Sequence, residues 1–423
     1  MTTNGFILHG TIIYSNKQRE LVECQDSYLV CVDGYSRGVF PEIPEEYGDL
    51  PVEDYWDKLI IPGLADLSAD APGFQVRGMG LNRTDWADYQ KDRLEAEEEF
   101  DDDDYAERAY DMFVEDLYIG PTTRAAVTAT GQVAATLKLM DLLDESGLIS
   151  CVGKVSRDRG VSDFASHTTG TAATDTVDWI NACIDRYDRT SPLLLTEGSD
   201  SASPDLLDAL GQLVRETNLP VGTSTDIGRT QGSLPSSAFF DLDEVKVLSR
   251  AGLLGEMGPA ILSPALVGSS EVIDLLKDRG TYLASCPEME VSLWGQIAPV
   301  KTYLDLGLNV GLGSASAGGS GTSLFTVMKE ALLLSKLAAG ESKDEAEPLT
   351  LEDVFYLATR GGGSFFGNCG SFEEGCQFDA VVVDDRGLDT MRDLSPRDRL
   401  ERVVALSDDR NVVGKYVFGD KIY

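Results

Sequence analysis

Short apolar segments alternating with amphipathic segments of helical period predict an α/β chain: a (β/α)8 TIM-type barrel with a small β-sandwich formed from both chain ends. Three observations carry this. Candidate strands recur eight times, at 60–66, 121–130, 149–155, 192–196, 219–224, 259–263, 281–285 and 308–314. Each is short, rich in branched apolar residues and bounded by turn residues. Helical candidates alternate with them, at 105–118, 131–147, 173–187, 203–217, 237–250, 269–279, 298–306 and 322–339. Both chain ends, by contrast, read as β: residues 6–59 run in short alternating stretches such as Tyr28-Leu29-Val30-Cys31-Val32, and Phe378-Asp379-Ala380-Val381-Val382-Val383 returns to that character. The expected boundaries are a composite β-sandwich from 1–59 and 364–423 and a barrel over 60–363.

Local signals support the elements in order. Asn, Gly and Asp separate the N-terminal runs and mark turns. The acidic stretch Glu95–Asp104 precedes the helical candidate at 105–118 and reads as a solvated loop, with a lid over the barrel mouth as the alternative. Ser203 stands as the N-cap of its helix, with Pro204 at the first helical position and Asp205 in the first turn. A helix over 350–360 stops at Gly361-Gly362-Gly363.

Composition narrows the function. Among 423 residues, 72 Asp and Glu stand against 35 Lys and Arg, and a net charge of -37 repels phosphate backbones and anionic lipid. Neither nucleic acid nor membrane is an expected partner. No apolar run is long enough to span a bilayer, and Met1-Thr2-Thr3-Asn4-Gly5 lacks a basic segment leading into an apolar one, so a cytoplasmic protein is expected. Seven scattered cysteines without a CxxC pair read as reduced thiols. The scarcest residue is histidine: the chain has 2, His9 and His167.

At Ile60-Ile61-Pro62-Gly63-Leu64-Ala65-Asp66 the chain resembles the entry to the first barrel strand of the amidohydrolase superfamily, in its guanine deaminase branch. Val152-Gly153-Lys154-Val155, Ser285-Cys286-Pro287, Gly311-Leu312-Gly313-Ser314 and Gly370-Ser371-Phe372-Glu373-Glu374-Gly375 extend the resemblance across the barrel. It implies one divalent metal, usually zinc, that lowers the pKa of a bound water from about 15.7 to about 7. The family's ligands are an HxH pair after strand 1, single histidines after strands 5 and 6, and an aspartate after strand 8. By register the resemblance places Ser68 and Asp70 at the HxH pair and Ser224 at the strand-5 histidine. The proton-shuttling glutamate falls near Ile227, beside Asp226; the strand-6 histidine falls near Pro264, and the strand-8 aspartate at Ala315. Gly73 stands where the family faces the purine with glutamine, and Glu197-Gly198 replaces an arginine-phenylalanine pair, which reverses the local charge. No metal and no cofactor are expected on this reading.

What chemistry remains falls to carboxylates. Asp70, Glu197 and Asp226 at strand ends are the candidate acid–base groups, since paired carboxyls in a desolvated pocket are driven apart in pKa. His167, in the polar loop Ser162–Gly170, is a further acid–base candidate or a solvated loop residue, and His9 reads as structural. Ser68, Gly73, Ser224, Ser285, Glu288 and Ser314 are candidate contacts to a small molecule, and Trp86 either packs or stacks on a planar ligand. The expectation is a metal-free protein that is similar to guanine deaminase but is not one. It would bind a different small molecule and perform isomerase-, lyase- or cyclase-type chemistry. The alternatives are a non-catalytic sensor or interaction partner, and a hydrolase with Mg2+ or Mn2+ on carboxylates. The resemblance also implies a homodimer.

Overall fold

A computed structural model describes residues 5–79, 86–159, 169–199, 201–224, 242–267, 269–315, 319–341, 347–388 and 390–423. The chain divides into two compact units. One comprises Met1–Asp66, Asp116–Arg124 and Ser323–Tyr423; the other comprises Leu67–Glu115 and Ala125–Thr322.

The first unit is built on a sheet shared by the two chain ends. Strands β1 (Gly5–Ser15), β2 (Leu21–Val32), β3 (Tyr35–Phe40) and β4 (Val52–Pro62) come from the N-terminal part. The barrel strands are β5 (Leu64–Asp70), β6 (Thr122–Thr128), β7 (Ile149–Val155), β8 (Thr190–Thr196), β9 (Val221–Ser224), β10 (Ala260–Ser263), β11 (Tyr282–Ser285) and β12 (Asn309–Leu312). Three more, β13 (Ala380–Val383), β14 (Val412–Val417) and β15 (Asp420–Lys421), return to the first sheet, whose order is β15-β14-β13-β4-β1-β2-β3. The run Ala380-Val381-Val382-Val383 is apolar without alternation because β13 sits between β14 and β4 and is wholly buried. Ile60 pairs with Val382 across that seam. Leu8, Leu29, Ile60, Phe378 and Tyr416 form the core on one face.

The eight barrel strands follow one another in order around the second sheet, and the ladders from β7 to β12 are parallel. The barrel closes where the Ala315 N–H donates to the Ser68 carbonyl at 2.7 Å. Gly313 permits that approach: a Cβ there would stand 2.6 Å from Ser68 Cβ and 2.8 Å from Cys286 Sγ.

Helix signals read from the sequence act as expected at Pro204–Thr217, where the Ser203 side chain accepts from the Leu206 N–H and Asn218 closes the helix in the left-handed region. The helix expected at 173–187 instead spans Thr169–Cys183. Asp185 turns to φ 55°, and Arg186 and Tyr187 leave the helix to bond Asp141. The acidic stretch differs as well. Helix Trp86–Glu98 runs into it, Glu97 and Phe100 are buried, and Asp101 to Asp104 are exposed. Among the described residues no helix is long and apolar enough to cross a membrane. None of the seven cysteines is joined in a disulfide among the described residues.

Candidate active site at the barrel mouth

In a barrel of this kind the C-terminal strand ends carry the site. Here they present two layers of different chemistry. The floor is neutral: Ser68 Oγ lies 2.7 Å from Ser263 Oγ, which lies 3.6 Å from Cys286 Sγ. A cavity of about 20 Å³ is lined by Ser68, Thr128, Ser224 and Ser263, with Leu193 and Leu195 on its apolar side.

The rim is ionic. Arg93 and Glu97 stand four apart on helix Trp86–Glu98 and so share a face. Arg93 donates from Nε and Nη2 to the two oxygens of Asp70, at 3.1 and 3.0 Å, and from Nη1 to Glu97 at 3.2 Å. Arg157, two residues beyond β7, donates to Glu97 from both terminal nitrogens at 3.1 Å. It also grips Glu197 in a fork, with Nη2 at 2.6 Å from Oε1 and Nε on Oε2. The result is one chain, Asp70–Arg93–Glu97–Arg157–Glu197, with every member under a tenth exposed. Burial alone would push the Glu97 carboxyl up, but the Arg157 and Arg93 guanidiniums and the Gly131 N–H hold it below the ordinary glutamate value. Burial likewise opposes the charge on Arg157, and Glu197 and Glu97 outweigh it, raising its pKa. Lys154, buried nearby on β7, is pushed down to about 8 by desolvation.

The sequence-predicted residues distribute over these layers. Asp70 and Glu197 point inward, as their register implies, and both are held by guanidiniums. The charge reversal expected at Glu197 is therefore corrected, because Arg157 returns a guanidinium to that place from the neighbouring strand. The Gly73 N–H donates to Asp70 Oδ1 at 3.1 Å. Ser285 donates to Glu290 at 3.2 Å; burial pushes that carboxyl up, against the Ala298 and Cys286 N–H groups bonded to it. Glu288 accepts from the Ser320 N–H at 2.7 Å and hydroxyl at 3.0 Å. Ser314 is buried at the end of β12, and Trp86 begins the helix that carries Arg93. Asp226 and His167 lie outside the described residues. His9 belongs to the terminal sheet, between Asp54 and Asp26. Sequence reasoning missed Arg93, Glu97 and Arg157. The signals were present: an arginine–glutamate i,i+4 pair, and an arginine just past a strand end.

Zinc of the family type needs imidazole, thiolate or carboxylate donors. At the places where the resemblance sets the ligands, the chain has hydroxyls on Ser68 and Ser224, a methyl on Ala315 and a carboxylate on Asp70 whose two oxygens accept from Arg93. Ala315 also sits at φ 43°, a strained conformation for a residue with a Cβ. Among the described residues no group of three or more His, Cys, Asp or Glu side chains is arranged to hold a metal ion. These residues do not fit that cation.

A model of the amidohydrolase family matches residues 59–422. The chain belongs to the amidohydrolase family. Guanine deaminase of Dictyostelium discoideum is 25% identical to this amidohydrolase over 98% of each chain. The Homo sapiens guanine deaminase is 26% identical over 86% of this chain and 83% of that protein. Guanine deaminase from C. acetobutylicum, solved with guanine bound in its active site, superposes with a TM-score of 0.91 at 32% identity, covering 99% of this amidohydrolase and 100% of that chain. The E. coli enzyme, at 20% identity and a TM-score of 0.81, shares the fold.

These relatives overturn the expectation of a protein that is not a guanine deaminase and acts on a different molecule by isomerase-, lyase- or cyclase-type chemistry. That expectation weighed a few strand-end positions above the whole chain, and the whole chain aligns with guanine deaminases, one of them solved with guanine in place.

Proposed function

We propose that this amidohydrolase takes guanine or a closely related aminopurine at the barrel mouth and releases its exocyclic amine by hydrolysis. The supporting observation is the end-to-end likeness to a guanine deaminase with guanine in its active site. In this reaction water adds to the purine C2, a C–O bond forms and the C–NH2 bond breaks. One water proton leaves with ammonia and the other goes to the ring nitrogen, giving xanthine. The chain's own contribution is a rigid, charged rim and a neutral floor. Guanidinium–carboxylate forks fix Asp70 and Glu197, and the fixed groups set the outline a planar ligand must match. A cytoplasmic homodimer is part of the same proposal.

Incubation of the purified full chain with guanine, followed by the ultraviolet change from guanine to xanthine and by ammonia release, tests the reading. The expected result is stoichiometric xanthine and ammonia. Guanine that stabilises the protein thermally yet is never converted would remove the hydrolase reading and leave a purine-binding protein; no binding at all would remove both. Light scattering of the eluted protein checks the dimer.

A further inference from the structure

We infer that Glu244 is a positioning residue that sets where Glu197 stands at the barrel mouth; the consequence for guanine rests on the hydrolase reading above. Strand β8 ends at Thr196, and Glu197 follows it directly. The next residue, Gly198, turns the chain at φ 79°. Glycine has the widest backbone freedom of any residue, so a carboxylate just before it is placed firmly only if the chain beyond is held from outside. Glu244, in the first turn of helix Leu242–Ala251, provides that hold. Its Oε1 accepts from the Ser199 N–H at 2.9 Å, and its Oε2 accepts from the Ser199 hydroxyl. Glycine and glutamate are matched here: a Cβ on Gly198 would stand 2.6 Å from Glu244 Oε1.

The far end of the same loop is held by the same device. Asp158, just beyond β7, accepts from the Ser203 N–H at 2.6 Å and from the Ser203 hydroxyl at 2.5 Å. Between these two docks the Ser201 carbonyl accepts from the Asp158 and Arg159 N–H groups at 3.1 and 3.0 Å, and Arg159 Nη1 donates to the Ser199 carbonyl at 3.2 Å. The loop after β8 is thus tied to the chain after β7 by Asp158 and Arg159, and to the helix after β9 by Glu244. Arg157 orients the Glu197 carboxylate through its fork, whereas Glu244 fixes the backbone from which that carboxylate hangs. A carboxylate that accepts from both the N–H and the O–H of one serine makes two charge-assisted bonds, which leave the loop little play.

Steady-state kinetics with guanine, amide hydrogen exchange and crystallography of the full chain and its variants test this. In Glu244→Ala the Ser199 amide should lose protection and Glu197 should be displaced from its wild-type position. KM for guanine should rise about tenfold with kcat within about twofold, because a looser outline weakens ground state and transition state together. A merely structural role would lower kcat through a smaller folded fraction and leave KM alone. Glu244→Gln, whose amide accepts from the Ser199 N–H and donates to its hydroxyl, should return KM to within about twofold of wild type. Ser199→Ala removes the hydroxyl bond alone and should raise KM about threefold, which supplies the readout should Glu244→Ala fail to fold. Unchanged KM with unchanged Ser199 protection overturns the proposal, and so does a fall in kcat at constant KM. If wild-type protein neither binds nor converts guanine, the hydrolase reading fails, and the position of Glu197 in the variant crystal structure decides the proposal by itself: displaced, it stands; in place, it falls.

Discussion

At the barrel mouth two guanidiniums are shared among three carboxylates, whereas the unit built on the terminal sheet buries Arg124, from the start of β6, against Asp379, and buries the amine of Lys415. In the pair, Arg124 Nε stands 2.5 Å and Nη2 3.1 Å from the Asp379 oxygens, and the Phe418 N–H adds a third bond at 2.8 Å. Lys415 donates to the carbonyls of Leu117 and Tyr118 at 3.0 and 2.6 Å, with Asp409 as the nearby carboxylate. Burial drives Lys415 down to about 7, with Asp409 offsetting only part of it, while Arg157 is driven up by its two carboxylates despite equal burial. Burial does not by itself decide whether a group keeps its charge. The number of opposite charges in direct contact does, and Lys154, at about 8 beside the ionic rim without a forked carboxylate of its own, follows the same rule.

The comparison is easiest to break at its strongest point. Arg157→Met leaves Glu97 and Glu197 buried without their shared cation, and should cost about 3–5 kcal/mol of unfolding free energy. A urea midpoint that barely moves would show that the rim is not the fixed element its geometry implies. Asp379→Asn removes the charge that Arg124 forks onto and should cost somewhat less, on the order of 3 kcal/mol, because the Phe418 N–H retains an acceptor.

Lys415→Met should act in the opposite direction. Its folded-state pKa is depressed to about 7 against an ordinary lysine value of 10.5. Below pH 7 both folded and unfolded chains carry the proton and the folded state bears the cost of burying it. As pH rises from 7 toward 10.5 the unfolded chain binds more protons than the folded one, so wild-type stability recovers. The variant should therefore be stabilised by about 1–2 kcal/mol below pH 7, with the gain shrinking above it. A gain independent of pH would mean the lysine stays charged in the fold.

The smallest effect belongs to His9. Burial works to lower its pKa, but Asp26 at 2.8 Å and Asp54 at 2.9 Å raise it above 6.5, while the ring stacks on Tyr28. A raised pKa gives stabilisation that is complete below 6.5 and lost as pH rises through the folded value. Both carboxylates are well exposed, so His9→Gln should cost only about 0.5 kcal/mol at low pH and low salt. Proton NMR of a chain with 2 histidines can follow the ring directly, and titration at or below 6.5 would contradict the pairing.

The fold was legible because it rests on period. β7 was expected at 149–155 and is found at Ile149–Val155, and the Ser203–Pro204 start of a helix was readable from capping chemistry alone. The inward direction of Asp70 and Glu197 was also legible, since strand register fixes it. Their partners were not. Arg93 reaches Asp70 from 23 residues away, and Arg157 joins Glu97 to Glu197 over separations of 60 and 40 residues. Such meetings depend on how loops return over strand ends, for which local sequence carries no periodic signal. Reading Glu197 alone suggested a reversed field; Arg157 beside it removes the reversal. The likeness to guanine deaminases runs along the whole chain, and a few strand-end positions carry less information than that relation.

The seam between β4 and β13 also has a consequence for synthesis. Ile60 must wait for Val382 before its edge is hydrogen-bonded. While a ribosome makes the intervening residues, the exposed side of β4 offers unpaired backbone to any neighbouring nascent chain. Arrest of translation within the barrel should therefore leave a sticky N-terminal fragment, and the last strands to emerge are the ones that render the first strands harmless.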